Sequence, residues 1–248
     1  MDILLKTYAS ECKKNFAPLG FKRSGNNHWR VVNDVYQAFH LKRMRGGGAC
    51  QILFGIIPLC RGIEAKYVRQ ESMLIFLPYF LLDCDIMSWS FDPKSEVCIQ
   101  SCVKNIMGFL QKDLFPYFER GYDCTSAYEE NRKIYSCLDR RRNEPNNAED
   151  SFFGGYPEYC MALKNKKYAH AEGYLAMVID SRKKHLNYVI QEVSPPETYI
   201  ETENLSIAED IAMLERVSAR DEPFIQNWIG NNERKSLESL GLIKHRTE

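Results

Sequence analysis

FAPLGFKRSGNNHWRVVNDVYQAFHLKRMRGGGACQILFGIIPL, residues 16–59, holds the end of a helix, a turn and three strands. Pro18 cannot continue a hydrogen-bonded helical ladder and Gly20 accepts a left-handed cap, so the chain leaves the helix and turns into a sheet at Phe21-Lys22-Arg23. Trp29, Val31 and Val32 give a short strand, Asn33-Asp34 supplies turn chemistry, and Val35 to Met44 gives a second strand. Its alternation sets Val35, Gln37, Phe39, Leu41 and Arg43 on one face and Tyr36, Ala38, His40, Lys42 and Met44 on the other. The second face is the more polar, which predicts core on one side and a surface partly open to solvent or to helices on the other. Gly46-Gly47-Gly48 reads as a hairpin loop, since a phosphate cradle needs a P-loop lysine and a following helix and neither is there. Cys50 to Ile57, closed by Pro58, is the third strand.

Outward from this stretch, Leu4, Tyr8, Cys12 and Phe16 recur at helical spacing, which makes residues 3–16 an amphipathic helix. Residues 60–83 resist assignment. Ile86 to Phe91 alternates, with Met87, Trp89 and Phe91 on one face, and reads as a further strand. Asp92-Pro93 is read as the cap and first position of a helix that runs to Lys112. Pro116 then kinks or restarts it, and Gly121 ends it. A short helix is expected over residues 126–138, and the polar segment 143–156 reads as an exposed linker. Beyond it the pattern is helical: Tyr156 to Asn165, Tyr168 to Gln191, a break at Pro195-Pro196, then Ser206 to Arg220 opened by a Ser206-x-x-Glu209 capping box. Asp221 caps a last helical segment. The expected fold is therefore α+β. An N-terminal helix and an antiparallel sheet of about four or five strands fill residues 1–142, and an all-helical half, residues 157–248, packs on them.

The 248 residues contain 33 Lys+Arg and 33 Asp+Glu, and this neutrality removes the global field that most backbone-binding nucleic-acid proteins use. Nine cysteines form an odd set with no CxxC pair, which reads as reduced thiols in a cytoplasmic protein. No signal or transit peptide is read at the start. The most apolar run, Met73 to Leu82, is about half the length that crosses a bilayer and is assigned to the core, so no membrane association is expected.

Catalytic signatures such as HExxH and GxSxG do not occur, and no histidine pair has metal-ligand spacing. Cys98 and Cys102 lie one helical turn apart, but without two further ligands at readable spacing they read as small core residues. No metal or cofactor is expected. The best candidate binding face is the polar side of the opening stretch and its neighbours: Arg30, Tyr36, His40, Lys42 and Arg43.

LGFKRSGNNHWRVVNDVYQAFHLKRM, followed by ILFGIIPL and later by LFPYFERG, resembles the bacterial family catalogued as domain of unknown function 4304 over roughly residues 4–138. The matching positions are Gly20, Phe21, Lys22, Gly25, Trp29, Arg30, Gln37, Phe39, Lys42, Gly55, Pro116 and Tyr117. Trp29-Arg30 departs from the family's tyrosine or phenylalanine before arginine. The resemblance implies architecture and a bacterial setting without chemistry, because the family has no assigned activity.

The favoured expectation is a non-enzymatic protein-binding or accessory protein, of immunity type, that engages another protein through the sheet face or a groove between sheet and helices. The first alternative is an enzyme or small-anion binder with a pocket over Arg30, His40, Lys42 and Arg43. The second is single-stranded nucleic-acid binding on the same basic and aromatic face.

Overall fold

A computed structural model describes residues 2–63, 88–130 and 155–244. Helix α1 (Ile3–Phe16) opens on Asp2, whose carboxylate accepts the Leu4 N–H at 3.0 Å. Leu4, Tyr8, Cys12 and Phe16 form its buried stripe. A single 3-10 turn at Ala17–Leu19 follows, and Gly20, at φ 85°, makes the left-handed exit that an L side chain resists.

Five antiparallel strands form a meander in chain order: β1 (Lys22–Ser24), β2 (Asn27–Val32), β3 (Val35–Arg43), β4 (Ala49–Pro58) and β5 (Trp89–Ser90). Val32 pairs with Val35 across Asn33-Asp34, and Asn33 takes φ 50°, a conformation that asparagine tolerates better than most residues. Gly46 and Gly47, both at positive φ, turn the chain between β3 and β4. The glycine run is thus a hairpin loop. The registers Arg30↔Gln37↔Ile56 and His28↔Phe39↔Phe54 define one face, and Trp29↔Ala38↔Gly55 and Asn27↔His40↔Leu53 the other.

The first face packs beneath α1 and α2 (Glu96–Phe109) in the main core. The second face is closed as well: Trp29, Tyr36, Ala38, Leu53 and Ile57 form a smaller core with Leu59, Ile63 and Leu240. The half-open sheet expected from alternation is therefore covered on both sides over the centre of β3, where Tyr36, Ala38 and His40 are all buried.

Helix α2 starts later than the sequence suggested. Asp92 caps a turn instead, accepting the Lys94 N–H on its side chain and the Ser95 N–H on its carbonyl, and Ser95 becomes the helix cap by accepting from Cys98 N–H. Pro116 is absorbed without a break. A π turn at Leu110–Leu114 joins α2 to α3 (Phe115–Arg120) and places the proline in the first turn of α3, where its missing N–H is tolerated. Gly121 ends α3, as expected, and residues 124–130 are helical.

The C-terminal half is helical: α4 (Gly155–Lys164), α5 (Tyr168–Glu192), α6 (Glu197–Ser218) and α7 (Glu222–Ser239). Helix α6 begins at Glu197, directly after the proline pair, so the capping-box pattern at Ser206 lies inside a helix. Pro196 presets the start, and nothing between it and Ser206 stops a helix. Asp221 caps α7 as expected, accepting from Phe224 N–H. This half packs on the sheet region: Ser236 of α7 donates to the Leu59 carbonyl at 2.7 Å and accepts the Ile63 N–H at 2.6 Å. Lys164, at the end of α4, bridges Asp34 in the β2–β3 turn (2.6 Å) and Glu233 of α7. The main core runs through both halves, from Leu4 to Ile229. Residues 64–87, which include the Met73–Leu82 run, and 131–154, which include most of the expected linker, lie outside the described residues. Among those described, no helix is long and apolar enough to cross a membrane.

Candidate functional site

The five candidate residues do not share one space. Arg30 and Arg43 project from the face that carries Gln37 and Phe39, and Tyr36, His40 and Lys42 from the opposite one. Arg30 is a structural clamp. Its guanidinium lies over the rings of Phe21 (4.8 Å) and Phe115 (5.3 Å), and its donors go to Gln37 Oε1 (2.8 Å), the Leu19 carbonyl (3.0 Å) and Glu119 (2.7 Å). Gln37 in turn donates to the carbonyls of Phe118 (2.7 Å) and Gly121 (3.0 Å), so this buried amide ties β3 to the end of α3. Arg43 holds Asp2 and the Gly47 carbonyl and sits over Phe91. A ligand anion at either arginine would have to displace these partners.

On the other face, Tyr36 stacks on Trp29 at 5.7 Å, and burial pushes its phenol above the ordinary tyrosine value. His40 Nδ1 lies 2.6 Å from Asn27 Oδ1, an acceptor, which assigns the ring proton to Nδ1. Lys42 stands opposite Gln51 near the end of the strand. Reactivity in a base or acid calls for a group poised near neutral pH and open to a substrate, and this face supplies buried, bonded groups instead.

A second polar centre was not visible in the sequence. Lys164 brings Asp34 and Glu233 together beside the buried thiols of Cys60, Cys124 and Cys160. Burial alone would depress the Lys164 ammonium, but the two carboxylates outweigh it and hold it above the ordinary lysine value. Cys124, hydrogen-bonded to Cys60 and buried, is pushed up strongly, and Cys60 is raised as well, so these two thiols stay protonated and unreactive. No group of three histidine, cysteine, aspartate or glutamate side chains among the described residues is placed to hold a metal ion. Cys98 and Cys102 part company: Cys102 is buried and touches Cys50, while Cys98, in the first turn of α2, is exposed and so is not the core residue expected.

Apolar side chains are exposed at several places among the described residues, Val97 on α2 included, and several of them lie on the α5–α6 hairpin. The ion pair of Arg182 with Asp210 (3.2 Å) sets the antiparallel register, which brings Leu205 level with Asn187 and Tyr188. Around that level Tyr188 is 59 % exposed, Val193 61 % and Leu205 67 %. Helix α6 also carries Glu197, Glu201, Glu203, Glu209 and Glu215, none of which has a cationic partner among the described residues. Its one base, Arg216, is committed to Asp221 at 2.8 Å. Asp210, turned inward, is raised above the ordinary carboxylate value by burial, with Arg182 opposing and Glu209 and Glu203 adding to the rise. Periodicity alone gives a helix an apolar face without saying what covers it.

Comparison of the chain with family models, curated proteins and solved structures finds no match.

Proposed function

We propose that the chain is a non-enzymatic protein-binding protein of bacterial setting and immunity type, and that it engages a basic partner through the distal half of the α5–α6 hairpin. The observation that carries the reading is the pairing of Tyr188, Val193 and Leu205, three apolar side chains left in water, with the unpaired carboxylates of α6 beside them. Aromatic and aliphatic anchors ringed by charge are the usual composition of a binding patch, and the charge selects the sign of the partner. The enzyme alternative asks Arg30, His40, Lys42 and Arg43 to converge, yet they divide between two faces. The nucleic-acid alternative asks for open stacking platforms, yet Trp29 and Tyr36 are buried against each other.

Calorimetric titration of the full chain with the products of adjacent genes tests the reading. A salt-sensitive complex with a basic protein is expected, weakened at least about 100-fold by Tyr188→Glu with Leu205→Glu, as for anchor residues at the centre of an interface. Binding unchanged by that pair of substitutions, or a turnover abolished by His40→Gln, overturns it.

A further inference from the structure

The Cys50–Cys102 contact belongs to none of the preceding chemistry. Cys50 sits on β4 and Cys102 on α2, with their sulfurs 3.8 Å apart and no other thiol among the described residues in contact with either. Both are free thiols. We propose that Cys50 and Cys102 form an oxidisable dithiol site that a hydroperoxide closes, reversibly, to a disulfide between sheet and helix.

Disulfide sulfurs stand about 2.05 Å apart, so closure needs under 2 Å of approach, within the reach of side-chain rotation. The two thiols differ in role. The contact with the Cys50 thiol holds Cys102 below the ordinary thiol value, against its burial, whereas the same contact and burial push Cys50 up. The Cys102 thiolate attacks one peroxide oxygen and the O–O bond breaks; the departing alkoxide, or hydroxide from hydrogen peroxide, takes up the proton that the Cys102 thiol released, which leaves a sulfenic acid at Cys102 and an alcohol or water. Cys50 sulfur then attacks the Cys102 sulfur. The S–O bond breaks, the hydroxide leaves with the Cys50 proton as water, and two thiols have been oxidised by one peroxide reduced.

Access is through the sheet edge. On the side away from β3, this end of β4 is paired among the described residues by the two-residue strand β5, with the Phe91 N–H donating to the Gly48 carbonyl just beyond it, and the Trp89 carbonyl lies 3.8 Å from the Cys50 sulfur. A ladder of two residue pairs opens far more often than the whole molecule. By contrast, Cys60, Cys124 and Cys160 lie where α4 and α7 pack on the turn after β4, and both Cys60 and Cys124 are pushed up. The inference does not depend on the binding role of the hairpin.

The test is peptide mapping of the full chain after hydrogen peroxide treatment, with alkylation of remaining thiols in denaturant. A single disulfide linking Cys50 and Cys102 is expected, reversed by dithiothreitol and still formed in Cys98→Ser. Because the bridge encloses residues 51–101, a rise in Tm of roughly 5–10 °C is expected on oxidation, and none in Cys102→Ser. Recovery of Cys50 and Cys102 as free thiols at a peroxide concentration that oxidises Cys98 overturns the proposal. So does a disulfide among Cys60, Cys124 and Cys160 in its place. Both readouts on the unsubstituted chain hold even if Cys102→Ser folds poorly.

Discussion

Strand β3 and the distal half of the α5–α6 hairpin treat their side chains in opposite ways. Over residues 35–41 of β3 even the polar residues are internal: Gln37 bonds two carbonyls and Arg30, and His40 bonds Asn27. On the hairpin, between Arg182 and Ile207, Tyr188, Val193 and Leu205 face water, and Glu197, Glu201 and Glu203 have no cationic partner among the described residues. The strand is held by helices on one face and by Leu59, Ile63 and Leu240 on the other, while the hairpin there rests chiefly on Leu186 and Ile207. A surface kept for a partner is affordable only on an element whose neighbours do not depend on it, and the sheet region is the part that bears the stability.

The largest effect should come from emptying the centre of the sheet. Phe39 touches Phe16, Phe21 and His28, so Phe39→Ala should cost about 4 kcal/mol of global stability in urea denaturation. Leu186→Ala on the hairpin should cost about 2 kcal/mol or less, because its thinly packed site can collapse. Native-state hydrogen exchange separates the two further. Amides of β3 and β4 should exchange only through global unfolding, and those of residues 183–192 through local opening. Equal protection in the two regions would break the contrast.

His28 gives the next effect, and a pH dependence confined to the sheet region. Burial, with the Arg23 charge and then His40 adding to it, lowers it to about 4, and its ring lies flat against Phe39 with Nε2 unpaired among the described residues. The folded state therefore refuses a proton that the unfolded chain accepts near pH 6.5. Stability from this group is whole above pH 6.5 and is lost as pH falls toward 4, by roughly 3 kcal/mol at the acid end. Urea midpoints measured at pH 7 and pH 4.5 should fall less in His28→Phe than in the unsubstituted chain, since phenylalanine keeps the stack and drops the titration. An identical decline in both would place the acid sensitivity elsewhere.

Much of the sheet was legible because alternation and turn chemistry are local: Val32, Asn33, Asp34 and Val35 specify a hairpin among themselves. What covers each face was not, since Leu240 lies some two hundred positions from Tyr36. Arg30 looked like a surface cation and is a clamp, because the aromatic rings that flank it come from Phe21 and Phe115. Helix starts were misplaced where two caps compete, as Asp92 with Ser95, or where a cap pattern sits inside a helix, as at Ser206. The Cys50–Cys102 contact was hidden for the same reason as the Lys164 bridge: it depends on how a helix is rotated on the sheet, and spacing along the chain carries no trace of that.

The smallest effect sharpens the comparison most. Leu205 is two-thirds in water already, so Leu205→Ser removes little contact and leaves no cavity. Serine is a weaker helix former than leucine by a few tenths of a kcal/mol, and the global cost should stay below about 0.5 kcal/mol. A Tm unchanged within about 2 °C is therefore expected from this substitution, against a steep fall for Phe39→Ala. Were Leu205→Ser to destabilise the chain by 2 kcal/mol or more, Leu205 would be part of a packed surface, and the hairpin would be a strut of the fold with no face to spare for a partner.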